Sequence, residues 1–84
     1  MVKKTVKVQC DTGLEARLIA MLVQKASQFS SRVHIEVGTK SINAKSIMGM
    51  MSLSVGYGDE LVVVTEGTDE VAAANDIETY LMAQ

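Results

Sequence analysis

The hydrophobic periodicity switches repeatedly along the chain, and this switching constrains the fold more than any other feature. Apolar and polar residues alternate over residues 2–10 and 32–37, the period-two pattern of half-buried strands. Residues 16–28 and 70–82 carry apolar side chains at helical spacing. Residues 61–65 form the continuous apolar run that is typical of a central strand.

Two shorter elements complete the predicted order. Gly38-Thr39 has the length and composition of a hairpin loop, so residues 40–43 are predicted to form a short strand by position. Residues 46–53 have the length of a short helix. The resulting order, βαββαβα, predicts an α+β domain with helices on one face of a four-stranded, antiparallel-rich sheet.

The spacing also predicts which side chains face the core. In the first strand, Lys4 interrupts an alternation of Val2, Val6, Val8 and Cys10. The first helix is expected to bury Ile19, Leu22, Val23 and Ala26. Thr68 or Asp69 is expected to cap the last helix. The inner face of that helix is predicted to comprise Val71, Ala74, Ile77, Tyr80 and Leu81.

Length and composition fit one domain spanning residues 1–84. A chain of 84 residues with 48% hydrophobic content has room for one core. Cys10 is the only cysteine, which excludes an intramolecular disulfide, and it is expected to be a small buried hydrophobe. The only histidine, His34, has no acid or metal ligand at useful spacing. We therefore expect an exposed strand residue at His34, and neither a metal nor another cofactor.

The charge balance argues against a nucleic-acid partner. The net charge is −2 and the pI is about 5.2, whereas a nucleic-acid-binding domain normally has a basic patch and a high pI. Lys3, Lys4 and Lys7 cluster, but they are more simply the solvated face of a strand. The sequence carries neither a signal-peptide pattern nor an apolar run of membrane-spanning length, so a cytoplasmic location is expected.

The segment SIMGMMSL at residues 46–53 is too apolar for its length. A short helix can bury one stripe of roughly 100°, so its apolar side chains cannot all reach one core. Some of them are predicted to face solvent. The side chains concerned are Ile47, Met48, Met50, Met51 and Leu53.

Three stretches resemble one family. TGLEAR at residues 12–17, AKSIMGMMSL at 44–53 and GDE at 58–60, together with the element order, are similar to the histidine-containing phosphocarrier (HPr) family of the sugar phosphotransferase system. The second stretch is long and contains rare residues, so it is the specific one. The resemblance covers essentially the whole chain and implies an open-faced β-sandwich.

The resemblance places Glu15 where phosphocarriers of the family have their histidine. That histidine accepts a phosphoryl group from Enzyme I and passes it to a sugar permease component. Arg17 matches the phosphate-binding partner, and Leu18 stands where the family usually has proline. Glu15 is interpreted as a fixed charge that mimics the phosphorylated histidine, or as a favourable first-turn acid. An acyl phosphate on Glu15 is disfavoured, because it needs a different donor geometry.

Ser46 lies within the AKSIMG match. In the Gram-positive branch of the family, the resemblance implies phosphorylation of this serine by an ATP-dependent HPr kinase/phosphorylase, whose product is a corepressor. A serine at a helix N-cap suits a phosphate, because unpaired N–H groups and the helix dipole both favour the anion. Serving only as an N-cap is the alternative role.

The resemblance also gives the surplus apolar surface a use. Ile47, Met48 and Met51 are expected to form a patch on which partner proteins dock, and flexible methionines suit several partners. Met50 and Leu53 are assigned to the core. On the first helix the resemblance places Arg17, Ala20 and Gln24 beside this patch.

Two functions follow from the resemblance. The first is a non-catalytic regulator of carbon catabolite control, phosphorylated on Ser46, whose partners are the kinase and a catabolite control transcription regulator. The second is a phosphocarrier with an altered residue at Glu15, whose partners are Enzyme I and sugar permease components. A diverged domain kept for another partner is a third, disfavoured by the intact AKSIMG.

Overall fold

The order of the helices and strands is the predicted one. A computed structural model describes residues 1–9, 15–53 and 55–83. Its elements are β1 (Val2–Lys7), α1 (Ala16–Ser27), β2 (Arg32–Val37), β3 (Lys40–Asn43), α2 (Ile47–Met51), β4 (Glu60–Glu66) and α3 (Glu70–Met82). They confirm the βαββαβα order and agree with the predicted bounds to within a few residues.

The four strands form one antiparallel sheet with the spatial order β1-β4-β2-β3. β4 lies between β1 and β2, as its continuous apolar run predicted. The β2–β3 hairpin turns through Gly38 and Thr39. Gly38 has a φ of 59° and Thr39 does not have a positive φ, which is the type II′ pattern that glycine favours.

One face of the sheet is covered by helices and the other is open. On the covered face, Leu61 and Val63 of β4 lie opposite Val6 of β1 and Ile35 of β2, respectively, and all four side chains are buried. The helices contribute further buried residues to the same core. These are Leu18, Ile19, Leu22, Ala26, Met50, Ala73, Ala74, Ile77 and Leu81. The predicted two-layer arrangement, an open-faced sandwich, is therefore confirmed.

The first strand differs from its prediction at both Lys4 and its end. Lys4 pairs with buried Val63, so it lies on the covered face and not with Lys3 and Lys7 on the solvated one. Its stem is half-buried and its amine lies 3.8 Å from the carboxylate of Glu78 on α3, as long amphipathic side chains permit. The strand ends at Lys7.

The predicted strand was expected to continue to Cys10. Val8 still accepts a hydrogen bond from the Gly58 N–H (3.0 Å) and donates one to the carbonyl of Asp59 (2.8 Å). Cys10 lies outside the described residues.

Two predictions for side-chain exposure are wrong. Val71 was expected on the inner face of α3 but is 60% exposed, and Ala73 is buried instead. Val71 lies about 120° around the helix from buried Ile77, so it cannot share that face. His34 was expected to be exposed but is half-buried, because Val64 and Asn43 flank it on the neighbouring strands.

Asp69 is the N-cap residue of α3, but its side chain makes no capping hydrogen bond. One carboxylate oxygen accepts from the N–H (2.9 Å) and hydroxyl (3.2 Å) of Ser30. The other accepts from the N–H of Ser31 (2.9 Å) and from its hydroxyl at short range. This serine clamp ties the start of α3 to the chain entering β2. The predicted cap position is correct, whereas its predicted role is not.

Gly67 allows the serine clamp to close. A Cβ at this position would lie 2.7 Å from the Cα and 2.6 Å from the Oγ of Ser31. Its backbone φ of 152° is also a value that residues other than glycine rarely adopt. Only glycine therefore lets these two backbone segments approach so closely.

The serine clamp should make folding sensitive to acid. Hydrogen bonds from the Ser31 hydroxyl and the Ser30 N–H lower the pKa of Asp69 from 3.8 to about 2. Because the folded-state pKa is depressed, the stabilisation is present above about pH 4 and is lost as the pH falls towards 2. We expect Asp69→Asn to lower the melting temperature at pH 6 and to flatten its fall between pH 4 and pH 2.

Asp76→Asn is the matched control, since it removes only a surface ion pair to Lys25 at 3.6 Å. Some acid sensitivity should remain in Asp69→Asn, because the N-terminal amine and the Gly67 N–H lower the pKa of Glu70 as well. Parallel pH profiles for wild type and Asp69→Asn would contradict the role assigned to the clamp.

Candidate functional site

Glu15 is the N-cap residue of α1. Its backbone is extended, with φ −83° and ψ 164°, and its carbonyl accepts from the Ile19 N–H at 2.9 Å. Its side chain is exposed and makes no capping hydrogen bond. The first turn of α1 contains no acid, so Glu15 lies one residue earlier than the first-turn position considered above. Its carboxylate is still close to the positive end of the helix dipole.

Arg17 follows on the first turn of α1 with an exposed side chain. Across residues 1–9, 15–53 and 55–83, neither Arg17 nor Glu15 takes part in an ion pair. The next residue, Leu18, is buried, and its carbonyl accepts from the Tyr80 hydroxyl at 3.1 Å. This hydrogen bond to the backbone ties the start of α1 to α3.

Ser46 is the N-cap of α2. Its φ of −100° and ψ of 109° are extended, and its hydroxyl accepts from the Gly49 N–H at 3.2 Å. The Ser46 carbonyl accepts from the Met50 N–H at 2.9 Å. The side chain is half-buried. The predicted capping geometry is thus present, and it leaves the serine at the start of a short helix near the surface.

The chain before Ser46 is firmly held. The Ala44 N–H donates to the Val33 carbonyl at 2.8 Å, and the Lys45 N–H donates to the Asn43 side-chain oxygen at 2.9 Å. The Lys45 ammonium donates to the carbonyl of Phe29 at 2.7 Å, just beyond the end of α1. These bonds fix the entry to α2 against both β2 and α1.

α2 divides its apolar side chains between the core and solvent. Met50 is completely buried, and Leu53, just beyond the helix, packs against the core, as predicted. The outward side chains remain substantially exposed: Ile47 is 45%, Met48 is 83% and Met51 is 49% exposed. Their predicted exposure is therefore confirmed.

Gly49 permits this close seating of α2 on the sheet. A Cβ there would lie 3.1 Å from Cγ2 of Ile42 on β3 and 3.4 Å from the Ser46 hydroxyl. The missing side chain lets the helix approach β3 closely enough for Met50 to reach the core.

α1 lies in contact with α2. Arg17 and Gln24 are exposed on it and Ala20 is half-buried. Met21 lies on the same helix and is 45% exposed, but it was not among the patch residues predicted from the sequence. Its position four residues after Arg17 and three before Gln24 is the signal that could have revealed it. We call the set Arg17, Ala20, Met21, Gln24, Ile47, Met48 and Met51 the helical patch.

The part of the chain that the structure describes offers no metal site and no membrane-spanning helix. No group of three or more His, Cys, Asp or Glu residues there could hold a metal ion. No described helix is long and apolar enough to cross a membrane. His34 alternates with core residues of β2 and so lies on the open face of the sheet, away from the helical patch.

The comparisons with known proteins agree with this geometry. A family model described as the PTS HPr component phosphorylation site matches residues 2–83. The chain therefore belongs to the HPr family, whose members are phosphocarriers or regulatory proteins.

Within that family, relatives of both kinds are similar to it. It is 46% identical to the HPr-like protein Crh of Halalkalibacterium halodurans over 96% of each chain. It is 50% identical to the phosphocarrier protein HPr of Treponema pallidum, over 93% of this chain and 89% of the relative. The crystal structure of Crh, the catabolite repression protein of Bacillus subtilis, superposes with a TM-score of 0.79. In that comparison 43% of residues are identical, and the alignment covers 100% of this chain and 97% of that one.

The Ser46 cap should contribute measurably to stability. Replacing a serine N-cap by alanine leaves one helix N–H unpaired, so Ser46→Ala should lower the free energy of unfolding by about 1 kcal/mol. Ser46→Asp should retain most of it, because a carboxylate also caps well. Urea denaturation measures both. Ser41→Ala on exposed β3 is the control, and an equal loss there would contradict the capping role.

Proposed function

We propose that this chain is a regulatory HPr-like protein of carbon catabolite control that is phosphorylated on Ser46 and does not carry a phosphohistidine. The observation that carries the proposal is the pairing of Glu15 at the phosphohistidine position with an intact Ser46 at the α2 N-cap. A glutamate cannot act as the nitrogen nucleophile of histidine phosphotransfer. The catabolite repression connection of the Crh relative supports the same role.

Phosphorylation of Ser46 fits its surroundings. The serine is half-buried, so its hydroxyl lies near the surface, and a phosphate there would meet the unpaired N–H groups at the start of α2. The modification would change the net charge from −2 to about −4. The chain before Ser46 is already fixed through Lys45 and Asn43, so the added charge alters the surface without refolding the domain.

In this proposal the helical patch is the docking surface. Its exposed methionines and Ile47 adjoin Ser46, so a partner seated on them would also read the charge at that serine. The proposed partners are an HPr kinase/phosphorylase and a catabolite control transcription regulator, both in the cytoplasm. Glu15 adds a permanent single negative charge at the start of α1, resembling a phosphorylated histidine in sign.

A second function is supported by a specific observation. Identity of 50% to a phosphocarrier, together with the exposed Arg17, favours a phosphotransfer component changed at Glu15. Its partners would be Enzyme I and sugar permease components. The two proposals differ in which reagent phosphorylates the chain.

Intact-mass measurements separate the two functions. The protein incubated with ATP and HPr kinase should gain the mass of one phosphate, and Ser46→Ala should gain none. Incubation with phosphoenolpyruvate and Enzyme I should add nothing, because the acceptor histidine is absent. Glu15→His should restore acceptance from Enzyme I if Arg17 and the helical patch are intact.

Phosphate gain by the unmodified protein from Enzyme I would overturn the regulatory proposal in favour of the carrier. Lack of any gain with the kinase would also overturn it. Ser41→Ala, which leaves the proposed acceptor untouched, controls for general effects of removing a hydroxyl.

The helical patch can be tested separately from phosphorylation. Met48→Asp should weaken binding of the Ser46-phosphorylated protein to the regulator by about tenfold or more, since it puts a charge in an apolar contact. The melting temperature should hardly change, because Met48 is 83% exposed. Calorimetric titration and thermal unfolding provide the two measurements.

Ala72→Asp is the matched control, because Ala72 is exposed on α3, outside the helical patch. Met50→Asp should instead destabilise the fold severely, because that side chain is fully buried. Unchanged binding by Met48→Asp would remove Met48 from the docking surface.

A further inference from the structure

The open face of the sheet carries a recess that the regulatory function does not use. It has a volume of about 310 Å³ and is lined by Arg32, His34, Asn43 and Lys45. It lies where β2 pairs with β3, with His34 directly opposite Asn43 and Arg32 two residues away on the same face. Two lining residues are permanently cationic, in a chain whose net charge is −2. Among the described residues, no carboxylate lines the recess.

Two of the lining side chains are held by hydrogen bonds and still have unused N–H donors. The side-chain oxygen of Asn43 accepts from the Lys45 N–H at 2.9 Å, which fixes the amide and leaves its NH₂ group to donate. The Lys45 ammonium donates one proton to the Phe29 carbonyl at 2.7 Å and keeps two others. The recess therefore presents N–H donors, and its one amide acceptor is already engaged.

The strand register places two acids beside the recess. Glu66 faces Arg32 across the β2–β4 pair, and Glu36 lies two residues from His34 on the same face. Arg32 takes part in no ion pair within the described residues, so its guanidinium is not committed to Glu66. Its planar fork remains available to bind two oxygens of one anion.

We propose that this recess binds a small phosphate monoester. A guanidinium fork, an ammonium, an imidazole and an amide NH₂ together match an anion with three acceptor oxygens and a charge near −2. The volume is at the lower end of small-molecule sites, which suits a phosphate bearing a small organic group. Lys45 directly precedes Ser46, but Ser46 does not line the recess, and the proposal does not rest on the proposed function.

The single histidine provides a direct reporter of binding. Because His34 is the only histidine, its ring C–H signals in a ¹H–¹³C NMR spectrum need no further assignment. The test is a titration of the protein with methyl phosphate and with inorganic phosphate at pH 7, with the ionic strength held constant by sodium chloride. Both phosphates should move the His34 signals along a saturating curve.

Variants test whether the four residues form the site. Arg32→Gln should weaken phosphate binding by about tenfold, since a charge-assisted bidentate contact is lost. Arg32 is exposed, so this variant should keep its fold. Lys45→Gln should weaken binding similarly. Lys7→Gln makes the same charge change on the same sheet face, outside the recess, and should bind as wild type.

Three results would overturn the proposal. The first is a phosphate response no larger than that to the same ionic strength of sodium chloride. The second is an equal response to acetate, which would mean a general cationic patch. The third is an equal weakening by Lys7→Gln and Arg32→Gln. Ser46→Ala, which cannot be phosphorylated at this position, should bind phosphate like wild type, so a failed titration would count against the recess and not against phosphorylation of Ser46.

Discussion

The pairing of β4 with both β1 and β2 is the constraint on which the rest of the structure depends. β4 contributes the buried side chains of Leu61, Val63 and Thr65. β1, β2 and α3 all pack against this strand. Because the sheet has one covered face, its other face is free to be polar. That division separates the two surfaces of interest: the helical patch beside Ser46, and the recess around His34.

α2 places apolar side chains both in the core and in solvent within five residues. Met50 must fill the core, while its neighbours Met48 and Met51 remain in solvent, where exposed methionines would be costly without a partner. Gly49 allows both, because the absence of its side chain brings the helix down onto Ile42. The Ser46 cap and the bonds of Lys45 then fix the start of the helix. The exposed apolar side chains therefore lie on a helix whose start is held by these hydrogen bonds.

Much of this fold is legible in the sequence, and the failures have physical causes. The order of the elements, the central position of β4 and the exposure of Met48 follow from periodicity and from the limited burial that a short helix can achieve. The predicted burial of Val71 was wrong because an apolar residue in the first turn of a helix need not lie on the buried face of that helix. The predicted capping role of Asp69 was wrong because its hydrogen-bond partners, Ser30 and Ser31, are almost forty residues distant in sequence.

The candidate site divides in a similar way. The family resemblance identified Glu15 and Ser46, and the capping geometry of Ser46 could be anticipated from local sequence alone. Met21 was missed because the resemblance placed only Arg17, Ala20 and Gln24 of α1 beside the docking patch. The recess was missed for a different reason: Arg32 and Lys45 are thirteen positions apart, and only the β2–β3 register brings their surroundings together.

The register of β1 has a consequence for synthesis of the chain. β1 is made first, yet its partner is β4, with Val2 opposite Thr65. On the ribosome, β1 therefore has no partner strand until β4 is translated, more than fifty residues after β1 ends. Until then its valines lie in an unpaired segment. Such long-range pairing slows folding and exposes apolar surface meanwhile. The three lysines of β1 keep this unpaired segment charged, which disfavours its pairing with other nascent chains.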